Sequence, residues 1–260
     1  MKSDFDVAAL TYDQDFTHSL IGTAQRNQVW KYLDRYFDKK ENISVLELNC
    51  GTGEDAIRFA EKGHDVVATD ISEQMLSVAR TKAKGNKVTF RKLDLNNVEH
   101  FELNRKFDIV FSNFGGLNCV GPEVISKISK TVSSLLKPEG KFIAIIMPQY
   151  CAWESFYFLL KGKWGEAFRR QKEYAIADVS NEKVKTFYFS PSKFERLGEG
   201  LFKRELLKPI GLFVPPSYLE NFFRKRPALL SIFDKMDKAL ARFSWQAYIS
   251  DHYYIQFTVR

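Results

Sequence analysis

Cysteine is scarce in this chain of 260 residues: Cys50, Cys119 and Cys151 are the only three. An odd number of widely spaced thiols argues against a disulfide framework, and no CxxC or HExxH spacing points to a metal. No run approaches the roughly 18 consecutive apolar residues that a membrane span needs. The start, MKSDFDVAAL, lacks the basic-then-apolar layout of a secretory signal. Internal repeats, low-complexity tracts and Ser/Gly linkers are absent too. These absences predict a soluble, cytoplasmic protein with no metal and no membrane partner. What is present is globular: 45% hydrophobic and 27% charged residues, enough for one cored domain with elaborations.

The charge is not balanced. A net +7 at neutral pH can favour nucleic acid or an anionic substrate. Many of the cations fall late in the chain, among them Lys161, Lys163, Arg169, Arg170, Lys172 and the run Arg224, Lys225, Arg226. Scattered surface lysines give the same balance, so nucleic acid stands as an alternative partner beside a small molecule.

Periodicity predicts a helix over 19–38, with Ile21, Val29, Leu33 and Phe37 on one face. From there strands and helices alternate. Strands are read at 43–48, 65–70, 87–94, 107–113 and 141–147, with helices between them and Ser72 as an N-cap. Five short apolar strands in alternation with helices predict a parallel sheet covered on both faces. The pattern then changes. CAWESFYFLLKGKWGEAFRR reads as one aromatic helix, and KEYAIAD and KVKTFYF as a hairpin about Val-Ser-Asn-Glu. Further helices separated by Pro227 and a last strand, DHYYIQFTVR, complete the chain.

The stretch VLELNCGTGEDA, residues 45–56, carries the chemistry. An apolar strand ends in Glu47, turns through Gly51 and Gly53, and resumes as a helix. Such a turn brings backbone amides and a helix N-terminus close to a ligand. With Ala56 and Asp70 it also fits a dinucleotide fingerprint, which leaves a NAD-binding oxidoreductase open. A carboxylate at Glu47 repels a diphosphate and attracts an ammonium group. Asp94, just past the third strand, is placed to accept an adenine amine. SNFGG, with Asn113, supplies a small polar floor after the fourth strand.

Together these residues resemble the class I methyltransferases that depend on S-adenosylmethionine. The resemblance covers roughly residues 43–147, with Asn49 standing where the family has its first loop glycine. It implies an α/β fold: a doubly wound, mostly parallel seven-stranded sheet with helices on both faces, an antiparallel last strand and a mixed α/β cap. The implied organisation is an N-terminal helical cofactor-closing segment, 1–42, and a cofactor-binding core, 43–147. A helix-and-hairpin cap insertion follows at 148–189. The final core strands lie in 190–260, with a helical insertion at 215–245. The implied cofactor is S-adenosylmethionine, leaving as S-adenosylhomocysteine. Its implied contacts are Glu47, Asn49 and Gly51 on the methionine part and Asp70 on the ribose, with Ile71, Met75, Asp94, Leu95 and Asn113 about the adenosine. Tyr12-Asp13 and Arg26-x-x-x-Trp30 are similar to the segment that closes over the cofactor in small-molecule methyltransferases, where an Arg pairs its carboxylate.

Transfer of a methyl group to an O or N atom of a small molecule is the function the sequence predicts. The alternatives are RNA or protein methylation, the NAD-binding oxidoreductase and a non-catalytic S-adenosylmethionine-binding protein. The expected bases are His18 and His252, since imidazole takes a proton near neutral pH. On a strand Asp251 and His252 point to opposite faces, so Asp251 is not expected to orient the ring. His64 and His100 read as solvated loop residues. The substrate candidates are Tyr150, Trp153, Glu154, Arg169 and Tyr218, an aromatic set with a few polar groups.

Overall fold

A computed structural model describes residues 6–37, 42–101, 103–179 and 182–260. Helix α1 (Leu20–Phe37) precedes strand β1 (Ser44–Leu48), α2 (Glu54–Glu61), β2 (Asp65–Asp70), α3 (Glu73–Lys82), β3 (Val88–Lys92) and β4 (Phe107–Ser112). Helix α4 (Pro122–Leu135) leads into β5 (Leu136–Ile146), then α5 (Ala152–Leu160), α6 (Trp164–Ala167) and the strands β6 (Ala175–Val179) and β7 (Glu182–Thr186). The chain ends with α7 (Pro191–Leu197), β8 (Phe202–Ile210), α8 (Glu220–Arg224), α9 (Pro227–Leu240) and β9 (His252–Val259).

Seven strands form one sheet in the order β3-β2-β1-β4-β5-β9-β8, and β6 and β7 form a separate hairpin. β1 to β5 run parallel, while β9 is antiparallel to both β5 and β8. All five residues of β1 are buried, as expected for a central strand covered on two sides. The pleat sorts its neighbours into two cores. Leu46, Val110 and Phe142 join α4 and α7, while Val45, Ile109 and Ile143 join α1 and α2 around Trp30 and Phe59. Each large side chain buried this way contributes roughly 1.5–3 kcal/mol. Strand order reverses between β1 and β4, so their carboxyl ends open the crevice where ligands of such sheets gather.

The cap is anchored to α1. Ile21, Val214, Leu219, Phe223 and Leu230 make a third apolar cluster, against which Trp153 and Tyr157 pack. The Glu220 carboxylate accepts from the backbone N–H groups of Leu20 and Ile21, 3.0 Å each, and satisfies the free donors of that helix start. Two sequence expectations change here. The aromatic helix over 151–170 is broken at Gly162, whose φ of +69° no helix continues through, so α5 and α6 are separate. β5 also begins at Leu136 rather than 141, because Leu136 already pairs with Phe107 across a register shift. The centre of the expected hairpin turn, 180–181, lies outside the described residues.

Candidate cofactor cleft

Leaving β1, the backbone is left-handed at Asn49 (φ 50°), Gly51 (φ 53°) and Gly53 (φ 78°). Asn adopts this region more readily than other side-chain-bearing residues, which is how Asn49 is accommodated. At Gly53 a Cβ would sit 2.9 Å from that of Ala79, so the turn can lie directly on α3. Side chains fix the turn. Asn49 Oδ1 accepts from Ser112 Oγ at 2.8 Å and its Nδ2 donates to the Asn113 carbonyl at 3.2 Å, tying β1 to the end of β4. Asp70 accepts from Gly51 N at 2.8 Å and Ser72 N at 2.9 Å. Thr52 and Lys82 both bond Asp13, which straps the N-terminal segment across the turn.

An open cleft lies beside this turn, lined by Tyr12, Thr17, Arg26, Glu47, Asn49, Gly51, Asp55, Asn113 and Phe114 among others. Asp55, in the first turn of α2, organises one wall. Its carboxylate pairs with Arg26 and accepts from Trp30 Nε1 at 2.7 Å and Asn113 Nδ2 at 2.7 Å. Burial opposes its charge, yet Arg26, Asn113 and Trp30 hold it below the usual carboxylate range. The Arg26 guanidinium also lies 5.3 Å from the centre of the Phe114 ring. Tyr12 is pushed up to about 12 by burial, with Arg26 pulling the other way.

Three buried polar atoms of residues lining this cleft have no hydrogen-bond partner: Oγ1 of Thr17 and the oppositely charged pair, Oε2 of Glu47 and Nε of Arg26. Glu47 is 1% exposed, and burial, reinforced by Asp55, raises its carboxyl well above the ordinary range. An unsatisfied buried carboxylate costs free energy that a cationic donor would recover. A ligand with an ammonium and a carboxylate matches this pair. A diphosphate does not, since Glu54 and Asp55 already occupy the first turn of α2 and Glu47 stands behind them.

Other expected contacts are placed differently. Asp70 accepts one backbone N–H on each carboxylate oxygen, from Gly51 in the turn after β1 and from Ser72 in its own loop, which ties the two loops together. Asp94 caps a short turn, accepting from Asn96 N at 2.9 Å and Asn97 Nδ2 at 3.0 Å, because Asx side chains compete for nearby N–H groups. Leu95 belongs to the core, Met75 packs under Ala8 and Ala9, and Ile71 is half-buried.

The histidines and the cap depart further. His18 has 59% of its side chain exposed, with Nε2 3.5 Å from the Glu54 carboxylate. His64 is buried against Phe37 at 4.8 Å rather than solvated, and burial lowers its basicity; His100 is exposed as expected. His252 Nδ1 lies 3.2 Å from Asp251 Oδ2, correcting the expectation that Asp251 could not face it. The strand begins at His252, so alternation does not govern the preceding residue. The ring meets Phe114 edge-on at 5.2 Å, which brings it beside the cleft.

Glu154 is 1% exposed and is held by Arg169, through Nε at 2.8 Å and Nη2 at 3.0 Å, and by Arg170 Nε at 3.2 Å. Arg170 also donates to Asp251 Oδ1 at 2.7 Å and to the Asp251 carbonyl at 2.9 Å, while Gln25 Nε2 takes Asp251 Oδ2 at 3.0 Å. Neither Glu154 nor Arg169 is therefore a free substrate clamp. Trp153 donates to the Phe213 carbonyl at 2.8 Å and packs on Phe233 inside the cap. Tyr150 and Tyr218 remain partly exposed. Sequence reasoning missed Asp55, Phe114 and the central role of Arg170. An acid in a first helical turn and one of two adjacent arginines carry no distinguishing local signal.

Residues 45–140 match the family model described as "Methyltransferase domain". Over 134 residues the chain is 34% identical to the protein named "Putative methyltransferase YqeM" of Bacillus subtilis strain 168, covering 51% of each protein. It is 33% identical over 122 residues to the malonyl-[acyl-carrier protein] O-methyltransferase of Bacillus anthracis, covering 44% of this chain and 40% of that one. The chain thus spans about half or less of the length of the curated relatives it matches. The crystal structure of the PH0226 protein of Pyrococcus horikoshii OT3 superposes with a TM-score of 0.61 at 20% identity, covering 95% of this chain and 97% of that one. The likeness in fold therefore extends well beyond the matched domain.

Proposed function

We propose that this chain, whose residues 45–140 match a methyltransferase domain, is an S-adenosylmethionine-dependent enzyme of class I that transfers a methyl group to an O or N atom of a small molecule. The observation that carries the reading is the buried pair of unpartnered atoms, Glu47 Oε2 and Arg26 Nε, in one cleft at the carboxyl end of β1. Glu47 would hold the ammonium end of the cofactor and Arg26 its carboxylate, with Tyr12 closing above Gly51. When bound, S-adenosylmethionine supplies an electrophilic methyl group on a sulfonium.

The chain's own part is then positioning and exclusion of water, which can be worth on the order of 7–11 kcal/mol. Asp55 holds Arg26 and Asn113 in fixed orientations. Phe114 lines one side of the cleft and packs perpendicular to the His252 ring. His252 stands at the start of β9, on the edge of the sheet where β1, β4 and β5 end, and takes the acceptor's proton where that acceptor is an alcohol or ammonium. The cap over this edge supports a small acceptor rather than a long polymer. The acidic cleft opposes the reading as a dinucleotide-binding oxidoreductase, because a diphosphate would face Glu47 and Asp55.

Titration calorimetry tests this directly. S-adenosylhomocysteine should bind the full chain and NAD should not. Tritiated methyl from S-adenosylmethionine should pass into a small-molecule extract rather than into RNA or protein. Binding of NAD alone, or label found only in RNA, would overturn it.

A further inference from the structure

We propose that the outer face of the helical cap is a docking surface for an anionic lipid bilayer, a role separate from the methyl-transfer reading. α5 is apolar on two sides. Its inner side supplies Trp153 and Tyr157 to the cluster around Phe223 of α8. Its outer side leaves Phe156 60% exposed and Leu160 73%, and the next turn leaves Trp164 69% exposed. None of these three is needed to fill the cap's interior.

The chain between Leu160 and Trp164 is Lys161-Gly162-Lys163, all exposed. Lys161 donates to the Tyr157 hydroxyl at 2.6 Å, so its charge is held close against α5. The neighbouring α8 repeats the arrangement. Phe222 is 47% exposed, the Arg226 guanidinium lies 4.1 Å from its ring centre, and Lys225 adds a further exposed cation, while Arg224 lies 3.8 Å from Glu220. Leu and Trp flanked by Lys and Arg match an interface where acyl chains lie below anionic headgroups.

Charge selects the occupant. In a two-fold contact between copies the same patch meets itself, which would set Lys161 and Lys163 against their equivalents. The acid nearby in sequence, Glu166, is already paired with Lys163 at 3.3 Å. A surface of opposite charge with an apolar interior meets both halves of the pattern. Such docking is peripheral: among the described residues no helix is long and apolar enough to cross a membrane.

The test is vesicle co-sedimentation of the full chain, with phosphatidylglycerol mixed into phosphatidylcholine, against phosphatidylcholine alone. Binding should require the anionic lipid. The change Lys161→Gln should weaken it about fivefold, the value of one cation. Leu160→Ser with Trp164→Ser should weaken it on the order of tenfold or more while circular dichroism stays unchanged, since both side chains are largely solvated. A blue shift of tryptophan fluorescence on vesicle binding should vanish in Trp164→Phe and survive in Trp245→Phe, which alters an exposed tryptophan on the turn before β9. Equal binding to both vesicle types overturns the proposal, as does binding that the cap variants leave intact. Sedimentation showing a dimer that Leu160→Ser with Trp164→Ser dissolves, with no vesicle binding, overturns it in favour of a second copy.

Discussion

The cleft and the cap joint each bury acids and arginines, but they treat them in opposite ways. In the cap joint, Glu154, Arg169, Arg170 and Asp251 answer one another; burial opposes the Asp251 charge, yet His252 and Arg170 hold its carboxyl well below the usual range. In the cleft, Asp55 satisfies part of Arg26, but Glu47 Oε2 and Arg26 Nε are left over. A closed set of buried charges is complete as it stands and sets position. A set with two atoms of opposite preference remaining is shaped for something that arrives later.

The largest effect should come from opening the closed set. Arg170→Met leaves Glu154 and Asp251 without their shared partner, and removing one member of a buried pair costs roughly 3–5 kcal/mol. Urea denaturation should show that loss, and a midpoint unchanged from the parent would mean the cap joint is more hydrated than its geometry indicates. A smaller and opposite result is expected in the cleft. Glu47→Gln removes a buried carboxyl whose Oε2 has no partner and whose charge burial opposes, so stability in urea should be equal or higher. Affinity for S-adenosylhomocysteine should fall by about tenfold to a hundredfold, corresponding to the roughly 1.5–3 kcal/mol of a charged hydrogen bond. If both variants lose stability equally, the distinction between the two sites fails.

Much of this contrast was hidden in the sequence, and for a physical reason. β1, its turn and α2 were legible because periodicity, two glycines and a strand-end acid are all local signals. The order of layers followed from the alternation of strands and helices. Asp55 was not legible, because its meaning depends on Trp30 from α1 and Asn113 from the end of β4 meeting it in space. Asp251 was misread because strand alternation was applied one residue beyond the strand. Glu154 and Arg169 read as substrate candidates because nothing local reveals that they satisfy each other. Asp94 spends its oxygens on backbone and amide donors of its own turn, while Asp70 joins its own loop to the Gly51 turn, and neither partnership has a local signal.

The central claim is that Glu47 waits for a cation, and proton linkage reports on it directly. Burial raises its carboxyl, so the free protein keeps a proton there above the ordinary carboxylate range, and folding stability from this group declines as pH rises through that window. An arriving ammonium favours the charged form, so binding should expel the proton. Calorimetry of S-adenosylhomocysteine in two buffers of different ionisation enthalpy should show proton release, with affinity rising as pH increases from the carboxylate range, and Glu47→Gln should abolish both. A wild-type affinity that is flat with pH, or a release that persists in Glu47→Gln, would contradict the account.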